Sequence, residues 1–204
     1  MRRPAMWFLI GALVVTGVVC APAQAQVVSD TAESVAWKLD FKVEKFGSVN
    51  VPNKTGGSET VWYLAYELSN NSGQDVPLAL HFRLATDTKK VYRETAHKKA
   101  EKLIEARLKH EVQSASERPS SLGDGDSLKG VAIFGKLDPE LDKIDITVTG
   151  LEDVVYRVGA KRYYKKNGLL LQWARPGDEY FTYRDPLKFV KRSWKTLEGP
   201  REIR

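Results

Sequence analysis

Apolar side chains recur at every second position over several stretches, and this period of two dominates the chain. Val35, Trp37, Leu39, Phe41 and Val43 alternate with Ala36, Lys38, Asp40, Lys42 and Glu44. Successive strand side chains point to opposite faces, so this segment reads as a half-buried strand. Residues 47–59 hold Gly47, Pro52, Gly56 and Gly57 and read as a loop. Trp62, Leu64, Tyr66 and Leu68 form the inward face of the next strand, and Leu78, Leu80, Phe82 and Leu84 that of another. Between them lies Asn70-Asn71-Ser72-Gly73, whose residues tolerate positive φ. Segments 60–69 and 76–86 are therefore expected to pair as an antiparallel hairpin.

The period changes from Thr95 to Gln113. Ala96, Ala100, Leu103, Ile104, Leu108 and Val112 recur at three- and four-residue steps, one face of a helix over about 95–113. Thr95 is the expected N-cap, and Glu105 and Lys109 are ordered as an i,i+4 pair. Residues 114–128, with Pro119, Gly123 and Gly125, read as a mobile connector. Strands resume with the apolar run Val131 to Phe134 and with Ile144, Ile146 and Val148. Segments 154–166 and 169–174 flank Asn167-Gly168, a second hairpin signal, with Leu169, Leu171 and Trp173 facing inward. Residues 186–195 fit either strand or helix and are expected as a closing edge strand. About eight one-sided strands are most economically buried by packing two sheets. The expected fold is an immunoglobulin- or fibronectin-like antiparallel β-sandwich with one inserted helix, lacking the Cys–Trp–Cys signature of antibody domains.

The N-terminus adds an address. Arg2 and Arg3 precede the apolar run Met6 to Val19, and Ala23-Gln24-Ala25 offers small residues for cleavage. This is the layout of a secretory signal peptide, and the run falls short of the ~20 residues a transmembrane helix needs. The expectation is an exported chain, periplasmic or extracellular, cleaved near Ala25, with no transmembrane segment in the mature part. Residues 26–32 would be a flexible N-terminus, 33–195 a single domain and 196–204 a flexible tail. Cleavage leaves 179 of the 204 residues. The only cysteine, Cys20, leaves with the leader, so no disulfide, thiolate ligand or cysteine nucleophile is expected afterwards. A lipid-anchored envelope lipoprotein is an alternative, although Val19 stands where a small residue normally precedes the lipidated cysteine.

Charge narrows the partners. The formal excess of +6 drops to +4 once Arg2 and Arg3 are removed, and no stretch interleaves basic and aromatic residues as a nucleic-acid motif does. Nucleic acid is not an expected partner; an envelope protein or an anionic polymer is. No metal or cofactor is expected either. His97 and His110 lie thirteen residues apart in the predicted helix and point to different sides, while His81 shares an outward strand face with Arg83. Asp124-Gly125-Asp126 and Asp138, Asp142 and Asp145 lack the ligand offsets of an EF-hand. Adjacent Asp178 and Glu179 would point apart in a strand and fit a turn better than a glycosidase pair. The chain contains no Gly-x-Ser-x-Gly elbow and no phosphate-binding glycine loop. Trp37, Trp62 and Trp173 are expected in the core, with Tyr63, Tyr163 or Tyr164, Tyr180 and Tyr183 partly exposed.

The order of several short motifs resembles an uncharacterised exported family from planctomycete-type bacteria. The matching segments are Trp62-Tyr63-Leu64 leading into Ser69 to Gly73, Thr86-Asp87-Thr88 with Lys90-Val91-Tyr92, and Gly130 to Phe134. Leu137-Asp138-Pro139, Ile144 to Leu151, Arg175 to Tyr180, and Phe189-Val190 with Trp194 complete the series. The resemblance spans about residues 33–195. It implies an exported single-domain β protein, favours a bacterial envelope, and supplies no activity, catalytic residues or site to carry over. The combined expectation is a non-enzymatic binding or structural module that recognises a protein or polymer surface. Its candidate contact surface is Lys98, Lys102, Arg107 and Lys109 on the helix, with Tyr180 and Tyr183 beside the Pro-Gly turn. The rival expectation is a secreted polysaccharide-active hydrolase or carbohydrate-binding module, which calls for a concave pocket holding carboxylates of raised pKa.

Overall fold

The inward residues of the alternating segments meet in one large apolar cluster. A computed structural model describes residues 31–53, 56–158, 160–176 and 186–202. Among them the chain is mainly β, its named strand pairs are all antiparallel, and it has one short helix. The order is β1 (Thr31–Pro52), β2 (Ser58–Asn70), β3 (Val76–Pro77), β4 (His81–Thr86), β5 (Val91–Arg93), α1 (Lys98–Leu108), β6 (Ser121–Leu122), β7 (Ser127–Gly135), β8 (Lys143–Thr149), β9 (Glu152–Val158), β10 (Lys161–Ala174) and β11 (Lys188–Glu202).

β1 is long enough to serve two sets of neighbours. Its first part pairs β9 through Lys38↔Glu152, and its second pairs β2 from Leu39↔Asn70 to Pro52↔Ser58. β2 also pairs β7. The hydrogen-bonded order is β5-β4-β8-β10-β9-β1-β2-β7, with β11 added to β10 and a small β3–β6 pair apart. The large cluster takes Leu39, Phe41, Leu64, Tyr66 and Leu68 from β1 and β2, and Phe82, Leu84, Ile146, Val148, Leu171 and Trp173 from β4, β8 and β10. Aromatic rings join the two groups: Tyr66 lies 5.1 Å from Phe41 and 5.0 Å from Phe82 between ring centres.

The opposite face of β1–β2–β7 is also covered. Ala100 and Ile104 of α1, with Val112, pack on Val49, Val51, Val61, Tyr63, Ala65, Val131 and Ile133. A bulge between Val43 and Lys45, where Glu44 is the extra residue, shifts the β1 register ahead of the stretch carrying Val49 and Val51. Tyr63 is thus fully buried, contrary to its expected exposure, because its face of β2 lies under the helix.

Several sequence expectations are corrected. The 47–59 loop is largely strand, since β1 runs to Pro52 and β2 begins at Ser58; the turn is closed by Asn53 N–H to the Gly57 carbonyl (2.9 Å). Segments 60–69 and 76–86 do not form a hairpin. β4 keeps its inward alternation but pairs β8 and β5, so the chain after Asn70 crosses from one group of strands to the other. Buried Asn70 fixes that crossing, its side-chain amide donating to the carbonyls of Gln74 (2.7 Å) and Leu122 (2.9 Å). Asn167-Gly168 is no turn but lies inside β10, and the β9–β10 connection falls between Val158 and Lys161. Gly168 is needed there for close approach: an added Cβ would stand 2.8 Å from Leu197 and 3.0 Å from Thr147.

The helix is shorter than 95–113, and its N-cap is His97, whose ring nitrogen accepts from the Ala100 N–H. Residues 114–128 include β6 and the start of β7, so the connector is partly strand. The 186–195 segment is strand as expected, but β11 continues to Glu202, through most of the expected free tail. No described helix is long and apolar enough to cross a membrane.

Gly130 pairs with Tyr66 across β2–β7, and an added Cβ would lie 2.3 Å from the Tyr66 ring. The ring is fully buried, so it can give way only by displacing close-packed neighbours. Gly130→Ala is expected to destabilise the protein by roughly 1–3 kcal/mol in urea unfolding; an unchanged midpoint would contradict this packing.

Candidate functional site

Inward alternation on β4 has an outward counterpart. With Phe82 and Leu84 buried, His81 and Arg83 face solvent. Thr86 N–H donates to the Lys90 carbonyl (3.0 Å) and closes the turn into β5, placing Arg93 directly opposite Arg83. Thr147 and Thr149 on β8, Lys166 on β10, and Leu197 and Glu198 on β11 complete a concave groove of about 550 Å³. Leu197, one wall of the groove, falls at a register shift in β11 and lies over Gly168.

The electrostatics of this groove are unbalanced. Like charges set directly opposite on paired strands repel, yet Arg83 faces Arg93 and neither makes an ion pair among the described residues. Glu198 is shared between Lys166 (3.9 Å) and Arg201 (3.1 Å). Glu94 is already occupied, because its carboxylate bonds the Arg118 guanidinium. Arg118 also donates to the Leu80 carbonyl (3.3 Å) and stacks 5.5 Å from the Phe82 ring centre. Burial raises the Glu94 pKa, and the attraction of Arg118 only partly offsets it. Arg118 lies in the supposedly mobile connector, yet its side chain is only 8% exposed. The groove therefore offers cationic side chains and two threonines to an incoming anion. Of its two carboxylates, Glu94 has its pKa raised by burial and is held by Arg118, and Glu198 is paired with Lys166 and Arg201.

The surface expected from sequence is only partly brought together. Lys98 and Lys102 stand exposed one turn apart on α1. The Arg107 guanidinium donates to the Ser48 carbonyl at 2.6 Å and so anchors the helix to β1. Lys109 is the left-handed C-cap (φ 63°), its N–H donating to the Glu105 carbonyl. Tyr180 and Tyr183 lie outside the described residues. His110 does not face a second histidine; its Nε2 lies 2.7 Å from a Glu44 carboxylate oxygen, which raises the His110 pKa. Among the described residues, no three His, Cys, Asp or Glu side chains converge as a metal site would require.

Arg93 was missed in the sequence. A turn centred on Thr88 sets residues 83 and 93 opposite one another, and Thr86-Asp87-Thr88 was the available signal.

A scan against protein-family models found no match, and neither did a search of curated proteins. Among solved structures, the chain is similar to the X-ray structure of Northeast Structural Genomics Consortium target SoR45. That alignment covers 71% of this chain and 92% of the other at 10% identity, with a TM-score of 0.39, too low to carry an argument.

Removing Glu94 strands a buried guanidinium, whereas removing both partners does not. Glu94→Ala is expected to cost roughly 3–5 kcal/mol in urea unfolding, and the Glu94→Leu/Arg118→Met double variant to recover most of that loss. A double variant no more stable than the single one would contradict a coupled buried pair.

Proposed function

We propose that this chain is an exported protein of the bacterial envelope, cleaved near Ala25, that binds anionic polymer and catalyses no reaction. In this proposal the antiparallel strands form an immunoglobulin-like sandwich, and the chain belongs to the exported family its motif order resembles. The sandwich reading is supported by the large cluster, which draws inward side chains both from β1–β2–β7 and from β4–β8–β10. The export reading is supported by the basic start, the apolar run and the small residues at 23–25.

The observation that carries the function is the Arg83–Arg93 pair. Arg83 and Arg93 start from opposite positions of the β4–β5 ladder, and neither is in an ion pair among the described residues, so both guanidiniums are available to one sulfate, phosphate or carboxylate group, to which each offers planar paired donors. A polymer carrying such groups would screen the repulsion between them. Thr147 and Thr149 line the same groove. The helix lysines, by contrast, stand on a convex element with Arg107 already bonded to Ser48, so the groove is preferred to the helix as the contact surface.

Retention of the protein on immobilised dextran sulfate and on polygalacturonate tests the proposal. Arg83→Glu/Arg93→Glu is expected to abolish retention at low salt, while Lys98→Glu/Lys102→Glu leaves most of it. Added salt should weaken wild-type binding as the Debye length shrinks. Retention unaffected by the groove reversal, or lost only with the helix reversal, would overturn the assignment.

A further inference from the structure

β11 pairs only β10, and the Leu39–Pro52 part of β1 pairs only β2, so each leaves a free edge among the described residues. Between these edges the large cluster reaches the surface through Trp173, whose ring meets exposed Phe189. The register pairs Leu171 with Arg192 and Trp173 with Phe189, which puts Arg192 and Phe189 on the core-facing side of β11. Trp173 is 5% exposed and Phe189 53% exposed, so the aromatic floor runs from interior to surface. Ring centres trace the path: Phe46 to Trp173 4.7 Å, then Trp173 to Phe189 5.3 Å. The resulting cleft holds about 450 Å³, within the ~300–1,000 Å³ range of small-molecule sites.

The charge at this cleft has a definite sign. Arg192 makes no ion pair among the described residues. Glu44, the one acid among the described residues that line the cleft, is bonded to His110. Strand addition does not suit the β11 edge. Gln172↔Lys191 followed by Trp173↔Phe189 leaves Val190 bulged out, and Lys188, Lys191 and Lys195 punctuate the strand; both features oppose edge pairing. The cleft therefore suits a small molecule with an apolar body and an anionic head.

We propose that the cleft between β1 and β11 binds a free long-chain carboxylate, its tail on Phe46, Trp173 and Phe189 and its head on Arg192. This site is separate from the Arg83–Arg93 groove and stands or falls without it. Trp173 provides an intrinsic reporter, so the purified protein is titrated with monomeric sodium myristate by calorimetry and tryptophan fluorescence. The expected result is saturable one-site binding, weakened about tenfold or more by Arg192→Glu and by Phe189→Ala. Dodecyltrimethylammonium should give no saturable signal. Arg192→Gln serves in place of Arg192→Glu should the charge reversal lower the melting temperature. Absence of saturable myristate binding, wild-type affinity in the Arg192 variants, or equal binding of the cationic amphiphile would overturn the proposal. So would uptake only onto phosphatidylglycerol vesicles.

Discussion

The contact of Tyr66 with Phe82 is the point on which the molecule's organisation turns. β2 and β4 are close in sequence but do not pair; they meet through side chains, with ring centres 5.0 Å apart. That contact forces the chain to cross after Asn70. It also fixes which face of β4 is buried, and so which face carries His81 and Arg83. Gly130 provides the space that the Tyr66 ring occupies. Arg118 stacks on the other partner, Phe82, and ties Glu94 beside the groove. Packing in the core and charge at the surface are thus two sides of one strand.

β2 is the unusual strand. β2 buries Leu64, Tyr66 and Leu68 against the large cluster and Val61, Tyr63 and Ala65 beneath α1. A strand covered on both faces reads as a nearly continuous apolar run rather than a clean alternation. Trp62 to Tyr66 has that character, and its cover is the only described helix. His97 caps the start of that helix by accepting the Ala100 N–H, while Arg107 and His110 attach its end to β1 through the Ser48 carbonyl and the Glu44 carboxylate.

What the sequence made legible was local. The inward alternation of Leu39–Phe41, Leu80–Leu84 and Ile144–Val148, the helix face at Ala100 and Ile104, and the strand character of 188–195 are all present. Pairing was not legible, because it depends on contacts between segments far apart in sequence. Asn70-Asn71-Ser72-Gly73 turns the chain without making a hairpin, since the aromatic contacts favour crossing. Asn167-Gly168 has turn chemistry, yet its glycine serves close packing against Thr147 and Leu197. The site followed the same division. His81 and Arg83 were visible as outward residues, but Arg93 needed the β4–β5 register. The Glu94–Arg118 pair joins residues on either side of the helix, and no local pattern announces it.

The two concavities divide along the same chemistry. The outer groove gathers cations over threonines on a solvated face, while the edge cleft opens the apolar interior beside a single free arginine. Both depend on β2 and β4 meeting through side chains in the large cluster rather than through a shared ladder at 60–86. Nuclear Overhauser contacts test that arrangement most directly. The account predicts ring contacts between Tyr66 and Phe82, together with cross-strand backbone contacts between Phe82 and Val148 and between Arg83 and Arg93. Backbone contacts pairing residues 60–69 with 76–86 as a hairpin would contradict it.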